Sequence, residues 1–185
     1  MIGISGGAIT IRILDAGQKK ELIDFLDSFF RILNEGDINS FTLLKQSILN
    51  NFQTVAFIWF SGIIVIGMPV LLAILILRGF IIGFTVGFLI EAVGFKGFLF
   101  ALFTILPQNI FVIPGLIIIS VIGIRFSLVI IKNRFKNQVR RQTFINILTQ
   151  YTLSITMISI LILIGSFIEA YISPIFMRLI SGYIY

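Results

Sequence analysis

RGFIIGFTVGFLIEAVGFKGFLFALFTILPQNIFVIPG, from Arg78 to Gly115, is apolar enough for a membrane and too interrupted for simple spanning helices. Gly79 to Ile90 carries no charge, yet at about 1.5 Å per residue it reaches only ~18 Å of the roughly 30 Å hydrocarbon core. Glu91 and Lys96 interrupt it, and the uncharged run from Gly97 to Ile124 then holds Pro107, Gln108, Asn109 and Pro114 in its middle. That helix is expected to bend or break, because proline removes a helix hydrogen bond and clashes with the preceding turn. Irregular backbone survives at membrane depth only where protein or water satisfies it. The stretch therefore reads as a broken central hairpin inside a helical bundle or along a cavity, with Glu91, Pro107, Gln108, Asn109 and Pro114 as its polar core.

Working outward, Gly79, Gly83 and Gly87 recur every four residues and form a small-residue face for close helix packing, within the bundle or between copies of the chain. Glu91 has Lys96 across the turn, or Arg78 and Arg125 in the bundle, as expected partners. Phe52 to Leu77 is uncharged and long enough to cross with tilt; Asn50 and Asn51 stand at its entrance and Arg78 at its far end, and Gly62, Gly67 and Pro69 predict close contacts and a kink. On the other side of the hairpin, Thr143 to Ile168 is the last span. A tail over 169–185 follows, whose Tyr171, Tyr183 and Tyr185 suit a headgroup region and whose Ser173-Pro174 pair suits a short interfacial helix.

The amino-terminal third differs. Residues 1–14 begin with an apolar segment of about half a span and read as a partial first transmembrane helix. Over 15–51 the pattern is amphipathic: Leu22, Phe25, Leu26, Phe29 and Leu33 recur at helical spacing, with Asp24, Asp27 and Arg31 on other faces, and Phe41, Leu44, Ile48 and Phe52 mark a second short helix. The first stripe has two readings, packing on the bundle or lipid interface and docking a partner, so Phe25, Phe29, Leu33, Asp24, Asp27 and Arg31 are the candidate docking residues. Five basic residues between Lys132 and Arg141 have no acidic neighbour, whereas five basic and six acidic residues mix between Arg12 and Asn50. The positive-inside rule then puts the basic loop 132–142 in the cytoplasm, 15–51 outside, and the membrane bundle over 52–168.

With 58% hydrophobic residues, 12% charged and twenty Phe, the chain is expected to be an all-α, polytopic integral membrane bundle with a short amphipathic outer segment. Cysteine and histidine are absent, which removes disulfides, thiolate or imidazole metal sites, and Ser-His or Cys-His nucleophile pairs. No cofactor, metal site or catalytic residue is expected. The net charge of +6 is concentrated beside an apolar run, so it indicates topology and membrane lipid rather than nucleic acid.

These residues resemble the stage II sporulation protein M family. The resemblance rests on SFFRIL, on NNFQTVAFIWFSGIIVIGMPVLLAILILRGFIIGFTVGFL and on GFKGFLFALFTILPQNIFVIPGLIIISV; it is most specific at Asn51, Gly62, Gly67-Pro69, Gly79, Gly83, Gly87, Gly94-x-Lys96-Gly97 and Leu106-Pro-Gln-Asn109. It implies a non-catalytic scaffold in the engulfing, mother-cell septal membrane. Its implied partners are stage II sporulation protein P, an amidase/endopeptidase, and stage II sporulation protein D, a lytic transglycosylase, which together remodel septal peptidoglycan. A looser likeness joins the chain to membrane proteins that carry LPHG-x-x-E-x-PA here; Gln108 replaces that His and Val112 that Glu, so the acid-base role of the wider group does not transfer. A transporter or channel subunit built on the broken hairpin is the alternative.

Overall fold

The computed structural model describes residues 2–35, 39–64, 67–135 and 141–184, and every element among them is helical. Gly36, Asp37, most of the basic loop including Lys136, Tyr185, and the side chains of Phe29, Leu33 and Tyr183 lie outside the described residues. Three stretches are long and apolar enough to cross a membrane: Gly67–Val93, Leu106–Lys132 and Phe144–Leu179. Large apolar side chains such as Phe57, Leu72, Ile81, Leu153 and Ile160 point outward, the arrangement a lipid surround favours.

Helix α1 (Ile2–Ile13) leads into the amphipathic α2 (Ala16–Glu35). Helix α3 (Ser40–Ile63) starts at Asn39, whose side chain caps it by accepting from the amides of Phe41 at 3.0 Å and Thr42 at 3.4 Å. It runs unbroken through residues 51 and 52, the expected border between outer segment and bundle. Its buried face is Ser47, Asn51, Val55, Ile58 and Gly62, while Phe41 and Phe52, expected to lead an apolar face, are exposed.

The span expected from Phe52 to Leu77 is instead divided, because α3 ends at Ile63 and α4 (Gly67–Val93) begins anew. Pro69 explains this. In a continuous helix its ring would strike the carbonyl four residues back, whereas in the first turn of α4 its missing N–H costs nothing. The Gly67 amide donates to the Ile64 carbonyl at 2.7 Å, and a side chain at 67 would collide with the Ser61 backbone. Arg78 consequently sits inside α4, ~16 Å from one end and ~22 Å from the other by helical rise. Gly79 to Ile90, expected to be too short to cross alone, belongs to the second half of this one helix.

Gly94, at φ 65°, then reverses the chain, a backbone state other residues rarely adopt. Helix α5 (Phe95–Thr104) doubles back so closely that Gly97 rests on the Leu89 carbonyl. The expected break falls at Ile105, and Pro107 occupies the first turn of α6 (Leu106–Phe135). Pro114 does not break α6; it is exposed on an uninterrupted helix and lies outside any polar core.

Helix α7 (Arg141–Phe167) passes through one π-helical stretch, Ile168–Ile172, into α8 (Ser173–Ile184). The carboxy-terminal segment is thus joined to the last span rather than set apart as a tail. Ser173 is buried and donates to the Thr104 carbonyl at 2.9 Å, fastening α8 to α5.

The main core gathers Ile58, Leu71, Leu116, Ile119, Tyr151 and Ile155 from α3, α4, α6 and α7. Gly62 meets Gly123 there, Ser127 donates to the Gly62 carbonyl at 2.6 Å, and the Tyr151 ring stacks on Phe126 at 4.1 Å. In lipid such close packing and interhelical hydrogen bonding hold the helices together, since apolar burial alone distinguishes little between lipid and protein. A smaller cluster of Leu26, Leu89, Phe100 and Ala101 ties α2 to the α4–α5 corner.

Candidate functional site

Four elements bring polar side chains to one place in this otherwise apolar bundle. Arg78 of α4 donates from Nη2 to Asn51 Oδ1 of α3 at 2.6 Å. Asn51, 4% exposed, donates through Nδ2 to Ser166 Oγ of α7 at 2.9 Å. One turn along α3, Ser47 donates to Glu169 Oε2 at 2.5 Å. Glu169 belongs to the π-helical stretch, which carries one extra residue per turn and re-aims the side chains of its helix; such bulges concentrate at functional positions.

Of these groups, Asn51, Arg78 and Glu169 line a cavity of about 200 Å³ together with Thr85, Gln108 and Asn109 and the apolar Ile81, Ile105 and Val112. Asn109 donates from Nδ2 to the Ile105 carbonyl at 2.8 Å, at the helix break. Arg78 Nε and Gln108 Oε1 are buried without a hydrogen-bond partner. Among the described residues, Arg78 and Glu169 do not ion-pair, although both face the same cavity. An intramembrane charge is costly and faces the bundle interior or a polar cavity when present. The arrangement presents a cation, a carboxylate, three amides and a hydroxyl to one small cavity, and can hold a polar group.

Of the residues expected in a polar core, the structure brings Gln108 and Asn109 to this cavity. Glu91 is elsewhere: it pairs with Lys19 of α2 at 2.5 Å, not with Lys96, Arg78 or Arg125. Helix α2 reaches the end of α4 that sequence distance concealed. Gly79, Gly83 and Gly87 lie against α1. A side chain at 83 would collide with the Ile4 carbonyl, and a Cβ at 87 would stand 3.2 Å from Ala8 Cα.

On α2, Leu26 is buried while Phe25 is 69% exposed, so the expected stripe is split between the bundle and the surface. Asp24, Asp27 and Arg31 are exposed. Asp27 and Arg31 each engage a neighbour.

Ser47, Asn51, Arg78, Ser166 and Glu169 escaped the sequence reading as a group. A signal was present in α3, where Ser47 and Asn51 share one helical face with Val55, Ile58 and Gly62; a polar start to a buried stripe needs partners inside. Arg78 offered another, since it is the sole charge between Lys45 and Glu91.

An all-α bundle with membrane-length apolar helices and charge gathered at an internal cavity defines a polytopic membrane protein. The chain belongs to the stage II sporulation protein M (SpoIIM) family, whose family model matches residues 1–174. It is a sporulation-related membrane protein, and this family is not a known enzyme family. No curated protein and no solved structure matches the chain.

Proposed function

We propose that the protein is a non-catalytic scaffold of the engulfment machinery, holding an amidase/endopeptidase of the stage II sporulation protein P type and a lytic transglycosylase of the stage II sporulation protein D type against the septal membrane of the mother cell. The reading draws on family membership and on one structural observation. Helix α2 is fastened to the bundle by Lys19–Glu91 and by Leu26 in the α4–α5 corner, yet leaves Phe25 uncovered beside Asp24. A charged helix with an exposed aromatic side chain, which the charge asymmetry of the loops would put on the wall side, suits a docking surface for wall enzymes. Pull-down of the amidase from detergent extract tests it. Phe25→Ala should abolish recovery with the bundle intact, and charge reversal at Asp24 should weaken recovery more at low salt than at high salt. Full recovery with both variants, at normal protein levels, would remove α2 as the docking site.

A second reading, a transporter or channel subunit, is favoured by the charged cavity at the α5–α6 break. Solute flux into proteoliposomes that contain this protein and no hydrolase would establish it.

A further inference from the structure

The charged cavity shares one wall residue with each of two apolar grooves. One, of about 420 Å³, includes Arg78 in its wall and runs between Leu72, Ile76, Ile113 and Ile117. The other, of about 490 Å³, includes Asn51 and continues along Val55, Trp59 and Ile155. The two hydrogen-bonded residues Arg78 and Asn51 therefore stand between a polar cavity and two grooves lined mainly by hydrocarbon.

Inside the chamber the unused bonding capacity is specific. Arg78 spends Nη2 on Asn51 and leaves a buried Nε unpaired, a donor suited to a phosphate or carboxylate oxygen. Glu169 spends Oε2 on Ser47, and its other oxygen is open to a cationic donor. The buried Gln108 amide oxygen is a second acceptor without a donor. The opposite charges of Arg78 and Glu169 do not neutralise each other by direct contact, although an ion pair would lower the cost of holding both in a part-buried site. A single molecule bearing an oxyanion and a primary ammonium would satisfy both.

We propose that this cavity binds a zwitterion: its oxyanion on Arg78 and its primary ammonium on Glu169 and Gln108. Two sources share this chemistry, a phosphoethanolamine lipid headgroup and a free solute of the amino-acid or phosphoethanolamine class. The adjoining grooves fit the acyl chains of the lipid, whereas a free solute leaves them unused. The site goes beyond a scaffold role and needs no hydrolase.

The test titrates the purified full-length chain, in detergent micelles, with phosphatidylethanolamine, phosphatidylcholine and phosphatidylglycerol of the same acyl chains, following bound lipid by native mass spectrometry. Separate arms use free phosphoethanolamine and alanine, followed by melting temperature. Wild-type protein should hold phosphatidylethanolamine about tenfold more tightly than the other two lipids, the scale of one charge-assisted hydrogen bond. Glu169→Gln should erase that preference, and Arg78→Gln should weaken all three lipids alike. Binding of the free zwitterions, with equal retention of the three lipids, supports the site and assigns it to a solute. Equal retention of the lipids with no response to either free zwitterion would overturn the proposal, and needs no variant that risks misfolding. So would a phosphatidylethanolamine preference that survives Glu169→Gln.

Discussion

Replacing Gly83 should detach α1 from α4. The two helices run in the same direction, with Gly3 against Ile76 and Phe80, Gly7 against Phe80 and Phe84, and Ala8 against Gly87. At Gly83 the neighbouring atoms are the backbone of Ile4, with Ile4 Cα only 2.7 Å from where a Cβ would stand. A flexible side chain could swing away, but a helix backbone can only move as a unit. Gly83→Ala is therefore already overpacked, and Gly83→Leu more so; overpacking of about 1–3 kcal/mol would lower the docked-to-undocked ratio of α1 by about 5- to 150-fold. The chain lacks cysteine, so docking can be read by one engineered disulfide. A Cβ at 87 would lie 3.5 Å from Ala8 Cβ, within the range a disulfide needs. Ala8→Cys with Gly87→Cys should crosslink readily in the parent, poorly with Gly83→Leu, and normally with Gly17→Ala, because nothing lies within 4 Å of a Cβ at 17. Undiminished crosslinking with Gly83→Leu would refute the backbone-contact argument.

Other outcomes follow from the same contacts. Asn51→Leu removes the acceptor of the Arg78 guanidinium and should cost about 1.5–3 kcal/mol, seen as a larger fall in melting temperature than Asn109→Leu, which loses only a bond to the Ile105 carbonyl one turn back in the chain. Equal falls would mean that Arg78 is served by water. Lys19→Glu should loosen α2 by at most about 1 kcal/mol, since the pair is 32% and 42% exposed, and Glu91→Lys in the same chain should restore protease resistance of α2; no restoration would show that the pair does not hold the helix. Lys20→Cys should react with an impermeant thiol reagent in intact cells and Lys136→Cys should not, in keeping with the charge asymmetry. Labelling at position 136 alone would invert the topology.

Some of this architecture is legible in the chain because it depends on local chemistry. Apolar runs longer than a bilayer is thick, the mixed-charge periodicity of residues 18–33, and the glycines at 79, 83 and 87 act through composition and helical spacing, which need no knowledge of neighbours. The helix break near Pro107 is local in the same sense, since a missing N–H acts within one turn, and it falls at Ile105.

Pro69 and Pro114 show where local reasoning ends. Both lack the amide, yet Pro69 begins a helix after a reversal while Pro114 rides inside one, and the difference lies in what surrounds them: Gly67 can lie against Ser61, whereas α6 at Pro114 is continuous and exposed. The cavity lies further still from sequence reading. Asn51, Arg78, Gln108 and Glu169 come from four helices, and each alone reads as an end marker or a turn residue. What makes them a site is that α4 continues past Arg78 rather than stopping there, which leaves the guanidinium inside the bundle with Asn51 as its acceptor. Composition and periodicity determine that helices will lie in a membrane; only the tertiary arrangement decides which polar groups must satisfy one another, because a partner's identity depends on depth and rotation, and neither is encoded by neighbours in the chain.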